Sequence, residues 1–125
     1  MASHPLILIV DDSDRNRKLA REVLRMAGFR TLESGTAAGA IDLAAEHLPD
    51  VILMDLRLPD LDGTEAARML ANGPRTSHIP VVAVTALPLD ADDTWLGDAG
   101  FAGYIVKPID IDALPDQVRG FCTPS

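Results

Sequence analysis

The chain has 125 residues, of which 47% are hydrophobic, and a formal net charge of −8. That is the length of one domain with enough apolar material for a core, and the acidic balance argues against nucleic acid or anionic lipid as partners. A single cysteine, Cys122, excludes an internal disulfide and fits a reducing compartment, the cytoplasm. No stretch approaches the ~20 apolar residues of a membrane span. The opening Met1-Ala2-Ser3-His4-Pro5 lacks the basic region and cleavage pattern of a secretion signal.

In chain order the sequence alternates strand and helix. Residues 6–10 form an apolar run that stops at Asp11-Asp12. Ser13 or Asp14 can cap the helix that follows, whose Leu19, Val23, Leu24, Met26 and Ala27 keep helical spacing. Its cations Arg15, Arg17, Lys18, Arg21 and Arg25 read as mostly solvated, and Gly28 is the expected stop. Residues 29–33 are a shorter, more polar strand suited to a sheet edge. An alanine-rich helix opens at Gly35-Thr36, runs through Ile41, Leu43, Ala44 and Leu48, and ends at Pro49.

Residues 51–54 are wholly apolar and closed by Asp55, the pattern of a strand buried on both faces of a parallel sheet. Thr64 is a candidate cap for a third helix with Ala67, Met69 and Leu70 inward. Residues 79–84 are again apolar and end at Thr85. The next segment, residues 88–100, mixes Pro88, four aspartates and Gly97 around Trp95, so any helix there is short. Residues 101–106 make the fifth strand, ending at Lys107-Pro108. The last helix covers about 110–121 with Ile111, Leu114, Val118 and Phe121 inward, and Pro115 forces its regular part to start late. The pattern predicts one (βα)5 domain over residues 1–125, a doubly wound parallel α/β sheet.

The strand ends carry the chemistry. Asp11 and Asp12 follow the first strand, Asp55 the third, Thr85 the fourth and Lys107 the fifth. Each alone has a plain structural explanation as a turn acid, a cap or a turn lysine. Together they stand where ligands gather in open α/β sheets, outside the carboxyl ends of the strands. Three crowded carboxylates resist full ionisation unless a cation neutralises them. Hard oxygen donors suit Mg²⁺, and the scattered His4, His47 and His78 do not suggest zinc. A carboxylate can attack phosphorus to give an aspartyl phosphate, while a metal, a lysine ammonium and a hydroxyl offset charge on the phosphoryl oxygens. There is no glycine-rich phosphate loop, so the phosphoryl group has to come from another molecule.

With these residues in place, Asp11-Asp12, Met54-Asp55, Leu58-Pro59-x-Leu61-Asp62-Gly63, Val84-Thr85-Ala86 and Tyr104-x-x-Lys107-Pro108 resemble the receiver domain of bacterial two-component response regulators. The likeness covers essentially the whole chain and suggests a stand-alone, chemotaxis-regulator-like receiver. It implies a flavodoxin-like strand order 2-1-3-4-5. It implies that Asp55 is the phosphoacceptor for a histidine kinase or histidine phosphotransfer protein, and that the output is contact with a downstream protein target. It also implies direct Mg²⁺ ligation by Asp12, Asp55 and the backbone carbonyl of Arg57, with Asp11 acting largely through water. Thr85 and Lys107 would contact the phosphoryl group, Thr85 and Tyr104 would form the switch, and the Lys107-Pro108 bond would be cis.

Three features depart from the family pattern. The 88–100 segment is poor in helix formers, Arg57 is a large cation two residues after Asp55, and Leu87 is apolar two residues after Thr85. They bear on the lifetime of the phosphorylated state. The alternative reading is an Mg²⁺-dependent phosphatase with an aspartate nucleophile. Such enzymes generally need an acid where Arg57 stands.

Overall fold

The computed structural model of the chain describes residues 4–86 and 100–122. Five strands, β1 (Leu6–Val10), β2 (Arg30–Ser34), β3 (Val51–Asp55), β4 (Val81–Thr85) and β5 (Gly103–Val106), form one sheet in the order β2-β1-β3-β4-β5. Every pairing is parallel. Among the described residues there are four helices, α1 (Asp14–Met26), α2 (Ala37–His47), α3 (Gly63–Asn72) and α4 (Leu114–Phe121). The helix expected within 88–100, with Asp90, Asp93, Trp95 and Gly97, lies outside the described residues, as does Leu87.

The period-2 alternation of the strands sorts the core into two layers. Leu8, Val10, Ile52, Met54, Val81 and Ala83 point to one face, where they meet Ala37, Ala40 and Ala44 of α2 and Ala66, Ala67 and Leu70 of α3. Ile7, Ile9, Leu53, Val82, Val84 and Ile105 point to the other, against Ala20 and Leu24 of α1 and Leu114 and Val118 of α4. β3 and β4 are buried along their whole length, which is why their sequences run apolar without interruption. β2 and β5 are the edges and carry the polar and exposed positions.

Several boundaries and orientations differ from expectation. α3 is capped by Asp62, whose carboxylate accepts from the Thr64 amide at 2.9 Å and the Thr64 hydroxyl at 2.8 Å; Thr64 is already inside the helix. Met69 is exposed, and Ala66, Ala67 and Leu70 make the inner face. Leu19 is exposed and Met26 is 89% exposed, so α1 buries a narrower stripe than its apolar residues suggest. Ile111 precedes the regular helix, which starts at Leu114 with Pro115 in its first turn, and it too is exposed. α2 ends at His47, and Leu48, with φ 50°, caps it just before Pro49. Gly28 closes α1 with φ 98°, as glycine allows.

Candidate functional site

Parallel pairing puts all five strand exits on one edge of the sheet. Asp55 ends β3, Asp11 and Asp12 follow β1, Thr85 ends β4 and Lys107 follows β5, its amide donating to the Thr85 carbonyl at 2.8 Å. The Lys107-Pro108 bond is cis. A pocket of about 310 Å³ opens here, lined by Asp12, Asp55, Leu56, Arg57, Thr85, Ala86 and Lys107.

Asp11, Asp55 and Thr85 are buried, while Asp12 is exposed. One oxygen from each of Asp11, Asp12 and Asp55 lies within 4.8 Å of the others, and no histidine or cysteine joins the group. Lys107 reaches over this cluster. Its Nζ is 2.8 Å from Asp55 Oδ2 and 3.3 Å from Asp11 Oδ2. Burial works against the ammonium, but the hydrogen bond to Asp55 and the charges of Asp55 and Asp11 outweigh it, so the Lys107 pKa is raised above the ordinary lysine value. The lysine is a fixed cation at any physiological pH.

The carboxylates are held by backbone. The Arg57 amide donates to Asp55 Oδ1 at 2.9 Å, and the Ser13 amide donates to Asp11 Oδ1 at 2.9 Å. Asn16 Nδ2 is 3.4 Å from Asp11 Oδ2. This all-oxygen set of anions is the donor chemistry that hard divalent cations select, and it fits Mg²⁺. A buried, preorganised carboxylate beside a fixed ammonium is also what phosphoryl transfer needs.

A sequence profile described as the response regulator receiver domain matches residues 7–119. The chain belongs to the response regulator receiver family. It is 36% identical over 115 residues to the polar-differentiation response regulator DivK of Brucella ovis, spanning 92% of this chain and 94% of that protein. Its fold superposes on the receiver domain of sensor histidine kinase PA1611 from Pseudomonas aeruginosa PAO1 with a TM-score of 0.86 and 30% identity, covering 96% of this chain and 98% of that one. That receiver has a magnesium ion coordinated in its active site cleft. Chemotaxis protein CheY4 of Vibrio cholerae shares the fold at a TM-score of 0.89 and 22% identity, over 95% of this chain and 99% of that one. Receivers are phosphoacceptors of two-component signalling, and nothing in the site or in these likenesses favours a phosphatase.

Against this receiver frame, the structure brings Asp11, Asp12, Asp55, Thr85 and Lys107 together, with Arg57 at the rim of the pocket. Tyr104 stands apart, exposed on β5 opposite Ala83 and not among the pocket's lining residues. No described helix is long and apolar enough to cross a membrane. Sequence reasoning missed two residues. Arg17 reads as one of the solvated cations, yet its side chain is only 17% exposed and its Nη1 donates to the Asp11 carbonyl at 2.6 Å. Asp60, three residues before Gly63, accepts from the Ala37 and Ala38 amides at 2.9 Å each and so caps α2 from another loop. Arg17 left a signal in its spacing, six residues after Asp11 on the first turns of the helix; Asp60 left none.

Proposed function

We propose that Asp55 accepts a phosphoryl group from a phosphohistidine on a histidine kinase or histidine phosphotransfer protein. An Asp55 oxygen attacks phosphorus, the P–N bond to the donor imidazole breaks, and the imidazole nitrogen keeps the bonding pair. Asp55 becomes an acyl phosphate. Lys107 trades its bond to the carboxylate for one to a phosphoryl oxygen, and the Thr85 hydroxyl donates to another. Asp12, Asp55 and the Arg57 carbonyl would hold Mg²⁺ directly and Asp11 through water. Bound there, the metal would offset charge on the phosphoryl oxygens.

Thr85 then links the phosphoryl group to a rearrangement in which Tyr104 turns inward, biasing an equilibrium between two packings. The output is contact with a downstream protein target, with no role for nucleic acid or membrane. We read residues 1–125 as a single receiver domain acting in the cytoplasm, where an ATP-dependent kinase would supply its phosphoryl group. The observation that carries this reading is the buried Asp55 carboxylate, 2.8 Å from Lys107 and within 4.8 Å of two further acids at the mouth of a pocket.

The test is mass spectrometry after incubation with acetyl phosphate and Mg²⁺. Wild type should gain one phosphoryl group, chelation by EDTA should prevent it, and Asp55→Asn, nearly isosteric, should gain none while keeping its fold. Full labelling of Asp55→Asn would overturn the assignment.

A further inference from the structure

Arg17 lies on the first turns of α1, where its neighbours Arg15 and Lys18 face solvent. Its guanidinium is committed on three sides. Nη1 donates to the Asp11 carbonyl at 2.6 Å, Nη2 bonds the Asp14 carboxylate, and Nε lies 3.5 Å from Glu33 Oε1. Arg21 holds the other Glu33 oxygen at 2.6 Å. These contacts are not equal in consequence. Asp14 is 93% exposed, and a pair so open to water contributes little. Glu33 keeps Arg21 if Arg17 is lost. Among the described residues, Arg17 is the donor bonded to the Asp11 carbonyl.

That carbonyl belongs to the peptide that joins Asp11 to Asp12. A peptide is planar, so a bond to its oxygen restrains the plane that Asp11 and Asp12 share, the plane from which both α-carbons leave. The Asp11 amide is tied to the Ser34 carbonyl at 3.1 Å on the other side. Both bonds thus fall on the backbone of Asp11, and the guanidinium holds the peptide that Asp11 shares with Asp12. Gly35 leaves the guanidinium its space, since a β-carbon there would approach Nη1 to 3.1 Å.

We infer that Arg17 is a positioning residue for the acidic pocket: it touches no reacting atom, and by holding the Asp11–Asp12 peptide it makes the two carboxylates converge on a divalent cation. The inference rests on the reading of Asp11, Asp12 and Asp55 as the Mg²⁺ ligands. It carries a sign that separates it from a bystander charge. A cation beside an acidic site repels Mg²⁺, so neutralising a bystander tightens metal binding. Neutralising a positioning residue loosens it.

The experiment is an NMR titration of the unphosphorylated chain with MgCl₂ alone, following backbone amides of residues 55–63. Arg17→Gln removes the charge, Arg17→Lys keeps the charge but loses the forked donor geometry, and Arg21→Gln removes a neighbouring charge that does not touch Asp11. Both Arg17 variants should need on the order of tenfold more Mg²⁺ for half-saturation, the scale on which groups that orient metal ligands act. Arg21→Gln should stay close to wild type. The Asp12 amide should shift in both Arg17 variants before any metal is added, while the remaining spectrum reports an intact fold. Arg17→Gln binding as tightly as wild type, or tighter, overturns the inference. If wild type and Asp12→Asn titrate alike, the metal assignment itself falls and takes the inference with it.

Discussion

Gly63 opens α3 with its α-carbon against the backbone that presents Asp55. A β-carbon there would lie 2.6 Å from the Asp55 carbonyl oxygen and 2.8 Å from the Leu56 α-carbon, and both are main-chain atoms that cannot swing aside. The Gly63 amide also donates to the Leu56 carbonyl at 3.1 Å. The helix therefore docks directly on the strand exit, and the requirement for glycine is space, not a positive φ. Gly63→Ala should push α3 away from the β3 exit, lowering stability by about 1–3 kcal/mol as overpacking does. It should also slow labelling by acetyl phosphate, because the Asp55 carbonyl moves with its side chain. Thermal unfolding and a labelling time course check the two effects; unchanged values for both would mean that the loop absorbs the methyl group freely. The residues that announce themselves in the sequence are those like Asp55, at the end of an apolar run. Arg17 and Asp60 act across 6 and 22 or 23 positions through single hydrogen bonds. A chain read in one dimension gives Asp60 no partner, and gives Arg17 only its spacing of six residues after Asp11.

At the scale of elements, α2 shows how a loop beside the site is tied to the scaffold. Its first amides are divided between two caps: Thr36 Oγ1 accepts from Gly39 at 3.1 Å, and Asp60 accepts from Ala37 and Ala38. Asp60 sits in the loop between Asp55 and α3, so the N-terminus of α2 and the loop after Asp55 are one hydrogen-bonded unit. Those two amide bonds are the chief reason the Asp60 pKa is lowered, since they favour the carboxylate. A lowered folded pKa means a contribution fully present above the unfolded aspartate value of about 3.9 and lost as pH falls through the lower folded value. The Ala37 and Ala38 amide proton shifts should titrate together with a midpoint below the ordinary aspartate value; a midpoint at or above it contradicts the cap. Asp60→Ala should speed exchange of these two amides at neutral pH and leave Gly39, held by Thr36, slower. The number, order and type of the described elements were legible because apolar runs and helical spacing are local. Spacing near an apolar stripe predicts Met69 and Ile111 inward and gives Leu19 a helical apolar position, yet the stripe's width depends on where the partner sheet ends. The α3 start was one such case in reverse: Asp62 and Thr64 are both good caps, and only the chain path from the β3 exit selects Asp62.

For the whole molecule, the site is a place where the fold works against itself. Asp11, Asp12 and Asp55 are brought together at the end of a buried sheet, and among the described residues Lys107 is the cation bonded to two of them. The sequence showed this crowding, because the parallel topology that builds the core also forces the strand exits into one row. What it could not show is the balance of charges, which depends on Lys107 reaching back across the pocket. Three carboxylates around one ammonium leave uncompensated like charge, and removing one should relieve repulsion in the folded state more than in the extended chain. Asp12 is the member to remove, being exposed and outside the Lys107 bonds. Without divalent metal, Asp12→Asn should melt at a higher temperature than wild type. Added MgCl₂ should then raise the wild-type melting temperature, because binding linkage adds about 2.7 kcal/mol of stability at a hundred times the dissociation constant. Asp12→Asn should respond far less, so that the two melting curves converge or cross as Mg²⁺ increases. NaCl at matched ionic strength separates site binding from general screening, since screening acts on both proteins. Parallel responses of the two proteins to MgCl₂ would mean that Asp12 takes no part in holding the cation. A wild type more stable than Asp12→Asn without metal would mean that the acidic pocket carries no electrostatic strain.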